Sequence, residues 1–209
     1  MTYLIGVDVG TQSVRSCLFD LDGAVVASAS RPLATTFPKP AWAEQDPEEW
    51  GRGAVETLRE ILQASRVDPT EIAALSYDCT ACTVVALTEE GRPLRPALLW
   101  MDERAHREAE EASSIGHDVL KYCGGKISPQ WMIPKGRWLE RHEADLFAKA
   151  RWIVDETDFF TWRLTGRMTA SLNNATAKWN YVRPLGGWPK DFLRDAKAER
   201  LAERWPTDV

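Results

Sequence analysis

Leu4-Ile5-Gly6-Val7-Asp8-Val9-Gly10-Thr11-Gln12-Ser13-Val14-Arg15-Ser16-Cys17-Leu18-Phe19-Asp20 decides the architecture. Two apolar runs, Leu4–Val7 and Cys17–Phe19, flank a polar middle, so each reads as a strand. Asp20-Leu21-Asp22-Gly23 follows as a hairpin turn signal. The polar middle carries an acid at a strand end (Asp8), a glycine that admits close backbone approach (Gly10), two hydroxyls (Thr11, Ser13) and a cation (Arg15). N–H groups at a glycine turn make an anion-binding concavity, hydroxyls donate to phosphate oxygens, and arginine neutralises their charge. Asp8 repels a phosphate and instead suits Mg²⁺ reached through water. A plain hairpin, with Gly10 in a bulge and Asp8 as a cap, accounts for the same residues. A phosphate site on a hairpin also differs from the strand-to-helix loops of P-loop and dinucleotide-binding proteins.

Outward from this stretch, strands are expected at 3–9, 14–20 and 24–30, an antiparallel meander. Residues 31–46 are proline-rich and read as a loop. Asp46 is a good N-cap, Pro47 suits the first helical position and Glu49 the third, which predicts a helix over 47–65. Trp50, Ala54, Leu58, Ile61 and Leu62 form its apolar face. Ile72–Tyr77 lacks polar alternation and reads as a central strand covered on both faces. Further strands are expected at 83–87, 98–100 and 151–154, and helices at 103–113, 116–123, 131–145, 156–164 and 190–204. Trp131 and Trp138, seven apart, fit one buried helix face. Residues 168–189 read as a long structured loop. The order is mixed rather than a pure βαβ alternation, and by itself supports an α/β or α+β domain.

Composition sets the outer bounds. The 209 residues are 44% hydrophobic and 27% charged, enough for a real core. A net charge of −5 without a basic stripe argues against nucleic-acid and anionic-membrane partners. No 18-residue apolar run reads as a membrane span, and the first residues lack a signal-peptide pattern. Cys17, Cys79, Cys82 and Cys123 are too few and scattered for a disulfide framework, so reduced thiols and a cytoplasmic setting are expected. Ten tryptophans are many for this length; most suit packing.

Three later stretches invite chemical readings. Cys79-x-x-Cys82 could be a redox pair or half a zinc site. However, β-branched residues follow it where a thioredoxin-type motif would open a helix, and no second ligand pair completes four. Trp100-Met101-Asp102-x-Arg104 ends a strand and starts a helix; Asp102 can cap that helix with Arg104 in solvent. Lys178, before Trp179, suits a solvated loop lysine. His106, His117 and His142 sit in charged helical stretches and read as surface or packing residues.

Four separated stretches together resemble one family: GVDVGTQSVR (6–15), YDCTACT (77–83), LWMDERA (99–105) and DETDF (155–159) with Thr165-Gly166. They are similar, in order, to the N-terminal domain of the FGGY carbohydrate kinases, which include glycerol kinase and xylulokinase. The resemblance implies a ribonuclease-H-like α/β domain of the actin and sugar-kinase superfamily, with a mixed sheet opening on the meander and covered by helices. It implies ATP and Mg²⁺ as cofactors, with Asp8, Gly10, Thr11, Gln12, Ser13 and Arg15 on the phosphate side. It implies a small-molecule sugar at Thr80, Ala81, Cys82, Trp100, Asp102 and Lys178, Ala81 meeting it through backbone and Asp102 accepting its hydroxyls. The Asp-x-Thr-x-Cys-Thr pattern of residues 78–83 resembles ribulokinase-like pentulose kinases. The Arg-Glu pair of glycerol kinases and the Gln-Met-His stretch of xylulokinases are both missing here.

The family's catalytic aspartate, in a Gly-x-x-Asp-type segment, has no match in this sequence, so no catalytic residue is expected in it. Residues 1–209 thus read as an incomplete N-terminal kinase domain, inactive alone and homo-oligomeric in a full-length protein. A standalone sugar-binding or regulatory module of the same fold is the alternative.

Overall fold

β1 (Tyr3–Val9) alternates buried Ile5, Val7 and Val9 with outward Leu4 and Asp8. β2 (Ser13–Asp20) does the same with Val14, Ser16 and Leu18 inward. A period of two is what a half-covered sheet needs. The computed structural model describes residues 2–209, and these pack as two compact units. The first holds residues up to Thr35 and Gln45–Thr80; the second holds Thr36–Glu44 and Ala81–Val209.

In the first unit β1 and β2 pair antiparallel, as do β2 and β3 (Val25–Pro32). The Asp20 carboxylate closes the second hairpin by accepting the N–H groups of Asp22 and Ala24 at 3.0 and 2.8 Å. α1 (Pro47–Ser65) starts at Asp46, whose side chain accepts the Glu48 N–H at 3.0 Å, a cap worth about 1 kcal/mol. It buries Trp50, Gly53, Ala54, Thr57 and Ile61, while Leu58 and Leu62 are only half-buried. Thr57 and Ser16 share a buried hydroxyl–hydroxyl bond of 2.7 Å between helix and sheet.

β5 (Ile72–Cys79) runs parallel to β1, giving the mixed order β3-β2-β1-β5, where β4 (Glu44–Gln45) belongs to the other sheet. The sequence predicts that β5 is central and covered on both faces. Instead it is the outer strand, and Ala73, Ala74, Leu75 and Ser76 are exposed. The reason is the placement of α1, which packs over β2 and β3 and leaves β5 bare.

The second unit holds Glu44 of β4 together with β6 (Val84–Leu87), β7 (Ala97–Leu98) and β8 (Trp152–Asp155), in the sheet order β4-β7-β6-β8. All four residues of β6 are buried. Around it lie α2 (His106–Ser114), α3 (Met132–His142), α4 (Ala144–Lys149), α5 (Glu156–Thr165), α6 (Leu172–Lys178), α7 (Lys190–Asp195) and α8 (Glu199–Ala202). Gly136 lets α8 approach α3: a Cβ there would lie 2.4 Å from Leu201 Cδ1. Among the described residues no helix is long and apolar enough to cross a membrane.

Several expected elements are subdivided. The helix expected over 131–145 breaks at Glu143, where φ is −132°, into α3 and α4. The helix expected over 190–204 breaks at Lys197, held at φ +54°. Residues 118–123 form a 3₁₀ turn ended by Gly124. The expected loop of 168–189 contains α6, N-capped by Ser171, so Lys178 ends a helix. Trp131 is the N-cap residue of α3 and half-buried, not part of a buried face with Trp138.

Candidate functional site

In the first unit, Gly10, Thr11 and Gln12 join β1 to β2. The Gly10 N–H is tied to the Ser13 carbonyl at 3.0 Å. The Thr11 carbonyl accepts the Gln45 amide at 2.6 Å, and the Gln12 carbonyl accepts the Leu33 N–H at 2.9 Å. Gln45 is buried and braced by Thr35 and the Trp50 indole. Because a trans peptide opposes its C=O and N–H, the Thr11–Gln12 peptide aims the Gln12 N–H away from Gln45. Gly10 has no positive φ, and a Cβ there would meet nothing nearer than 3.6 Å, so the fold itself tolerates a larger residue.

Asp8 and Arg15 face each other across the ladder, with Nη1 3.9 Å from Oδ2 and both side chains more than half exposed. Asp78 of β5 is the register partner of Asp8 on its other side. These three line an open cavity of about 330 Å³ whose floor is Gly6, Cys17, Phe19, Ser76 and Tyr77. An exposed carboxylate beside a cation at a strand end suits a hydrated ion and an anion together. Among the described residues no three His, Cys, Asp or Glu side chains cluster to hold a bare metal ion.

In the second unit, Asp102 is fully buried. One oxygen accepts the Ala43 N–H at 2.7 Å, the other the Arg104 N–H at 3.0 Å, and the Arg104 guanidinium grips both at 2.7–3.0 Å. Its carboxylate thus faces protein on all sides and orders the loop that exposes Trp100. Arg104 is not a solvated cation. Its side chain is wholly buried, reaches Glu44 at 2.7 Å, and stacks 3.7 Å from the Trp42 ring centroid and 5.0 Å from that of Trp138.

A second buried cluster surrounds Cys82, which has φ +69°, a costly angle for a side chain bearing a Cβ. Asp155 Oδ2 accepts the Cys82 N–H at 3.1 Å and the Trp179 indole N–H at 3.4 Å. Lys135, wholly buried in the first turn of α3, donates to the carbonyls of Cys82 (2.8 Å), Leu99 (2.6 Å) and Leu98 (3.5 Å). Burial pushes the Lys135 ammonium down to about 8 and the Asp155 carboxyl up to about 6. The Lys178 ammonium lies 5.5 Å from the Trp131 ring centroid, and its charge acts on the Cys82 thiol.

Cys82, Trp100, Asp102 and Lys178 therefore belong to one unit, as does Ala81, whereas Thr80 closes the other. Sequence reasoning missed Lys135 and Asp155 as organisers. Lys135 carried a signal: a cation in the first turn of a helix, where the dipole opposes it, among Met132, Ile133, Pro134 and Gly136. Burial, and then the Asp155 charge, push the Cys82 thiol up to about 12. Iodoacetamide at pH 8 is accordingly expected to label Cys82 about tenfold more slowly than Cys79, as read by peptide mass mapping. Equal labelling would show that the Cys82 turn opens freely.

Comparison with known proteins gives concordant results. The chain is 31% identical to a D-ribulokinase of Saccharomyces cerevisiae, over 96% of this chain and 30% of that protein. It is 31% identical to a ribulokinase of Geobacillus thermodenitrificans, over 96% of this chain and 41% of the other. A crystal structure described as a xyloylose kinase from Brucella ovis superposes with a TM-score of 0.88 at 26% identity, over 99% of this chain and 43% of that one. The chain thus spans less than half the length of these relatives. The fold is that of the actin and sugar-kinase superfamily. The N-terminal domain of the FGGY family of carbohydrate kinases matches residues 3–183, and the chain belongs to that family.

Proposed function

We propose that this chain supplies the sugar pocket and the phosphate-binding hairpin of an ATP-dependent kinase acting on a ketopentose such as ribulose. The observation that carries this reading is the convergence on Cys82. The Ala81–Cys82 backbone, the Leu99–Trp100 loop after β7 and the Lys178–Trp179 helix end are distant in sequence and tied to two buried side chains, Lys135 and Asp155. Small residues at 81 and 82 admit a polyol close to the main chain, Trp100 offers an aromatic face, and Lys178 can donate to a carbonyl or hydroxyl. In place of accepting sugar hydroxyls, the buried Asp102 shapes the Trp100 loop.

On the phosphate side, Arg15 and the Thr11 and Ser13 hydroxyls would meet the nucleotide's oxygens, and the Gln12 N–H adds a backbone donor. Asp8 fits a hydrated Mg²⁺ held by the phosphates, because its carboxylate is exposed and lacks the companions that direct coordination needs. The bound ion would neutralise phosphate charge during transfer. The reaction is ATP plus ketopentose giving ADP plus the sugar phosphate. A cytoplasmic setting and self-assembly of the longer protein belong to the same reading.

Phosphoryl transfer also needs a group that positions the acceptor hydroxyl and takes its proton. No residue of this chain is assigned that role, while Ala81, Cys82, Trp100 and Lys178 of the sugar side lie within the second unit. The 209-residue chain is therefore read as binding sugar without efficient transfer. In a coupled ADP-release assay with ketopentoses and Mg·ATP, it should turn over at least about a thousandfold below an ordinary kinase rate of roughly 1–100 per second. Turnover inside that range would overturn the assignment of no catalytic residue here.

A further inference from the structure

We infer that Lys135 and Asp155 are positioning residues of the sugar pocket, gripping the Cys82 backbone from both ends so that the Ala81 carbonyl points where a sugar hydroxyl can reach it. The inference rests on the sugar-pocket reading above and assigns its specificity to two residues that touch no ligand themselves.

Asp155 accepts the N–H of the Ala81–Cys82 peptide at 3.1 Å. A trans peptide opposes its two polar groups, so the Ala81 C=O is aimed away from Asp155. Lys135 fixes the other side of the turn. Its ammonium has three protons, and three carbonyls receive them: Cys82, Leu98 and Leu99. The Cys82–Thr83 and Leu99–Trp100 peptides are thereby fixed against one point. Asp155 also holds the Trp179 indole, and Trp179 follows Lys178 directly.

Such an arrangement is costly. A buried ammonium without a hydrogen-bonded carboxylate and a cysteine at φ +69° both oppose stability. A glycine at 82 would adopt the same angle without that strain. The turn is thus more tightly determined than folding alone requires, and what it determines is the direction of the Ala81 carbonyl.

The test uses the 209-residue chain with Lys135→Met, Asp155→Asn, Cys82→Gly and the Lys135→Met/Cys82→Gly double variant. Amide hydrogen exchange without sugar reads the grip itself. Exchange at Cys82 should rise tenfold or more in Lys135→Met and Asp155→Asn relative to the β6 amides, and unchanged exchange would overturn the grip. Calorimetry with D-ribulose, L-ribulose and D-xylulose reads positioning. Cys82→Gly should restore the melting temperature of Lys135→Met, because glycine adopts positive φ freely, yet leave sugar affinity at least tenfold below the parent. Recovery of affinity together with stability would reduce Lys135 to a purely structural residue. If Lys135→Met does not fold, the double variant and Asp155→Asn carry both readouts. Failure of the parent chain to bind any of the sugars would overturn the sugar-pocket reading and the positioning role with it, while exchange would still decide whether Lys135 and Asp155 grip Cys82.

Discussion

Replacing Arg104 with Met is expected to destabilise the chain by about 3–5 kcal/mol, the cost of leaving a buried charge without its partner. Arg104 holds Asp102 through two guanidinium nitrogens and reaches Glu44 with the same fork. Both carboxylates are buried, and Asp102 would keep only backbone donors. Glu44 would keep Arg95, which pairs with it from the other side. Methionine retains much of the stem but not the charge over the Trp42 and Trp138 rings. Arg104→Lys should recover part of the loss, since an ammonium cannot reproduce the fork. Urea unfolding followed by tryptophan fluorescence reads this. A loss under about 1 kcal/mol, the level of an exposed ion pair, would mean that the buried network is not formed.

The second large effect concerns pH. Asp158 closes a capping box with Asp155 at the start of α5, accepting the Asp155 N–H at 3.1 Å and the Ser171 N–H at 2.7 Å. Burial, and then the neighbouring Asp155 charge, push its carboxyl up from 3.8 to about 8; the two N–H donors pull it back only in part. Asp155 is pushed up to about 6 by burial. A raised carboxyl keeps in the folded state a proton that the unfolded chain releases above about pH 4. The folded state then binds more protons, and stability falls as pH rises from about 4 to about 8. Raising a carboxyl by one pH unit contributes about 1.4 kcal/mol to this fall, so the decline from the pair is of the order of a few kcal/mol. Asp158→Asn removes one titrating group. It should lower stability at about pH 5, because one amide oxygen cannot serve both N–H donors, and flatten the decline towards about pH 8. Parallel stability curves for parent and variant would contradict a protonated Asp158.

The parts of this fold legible in the sequence are those fixed by local chemistry. The meander followed from two apolar runs and the Asp20–Gly23 turn, and α1 from Asp46 and Pro47 at its start. What was misread depended on long-range placement. Ile72–Tyr77 has the composition of a covered strand, and only the position of α1 over β2 and β3 reveals that β5 is outer and exposed. α6 was hidden because the glycines and prolines of 184–189 outweighed the Ser171 cap upstream. Among the candidate site residues, Asp8 and Arg15 lie across one ladder, as a hairpin spacing requires. Asp102 and Arg104 read as a cap and a surface cation because their spacing along the chain says nothing about burial. Their partners Ala43, Glu44, Trp42 and Trp138 come from far along the chain.

The central claim is that the Cys82 turn, the Trp100 loop and the Lys178 helix end form one ketose site. Calorimetric titration of the 209-residue chain with D-ribulose, L-ribulose and D-xylulose, repeated on Lys178→Ala, tests it most directly. The account predicts saturable binding of at least one ketopentose by the parent chain. It predicts affinity reduced at least tenfold in Lys178→Ala, with an unchanged melting temperature because that side chain makes no buried hydrogen bond in the core. No binding of any of the three sugars, or equal binding by parent and variant, would contradict it.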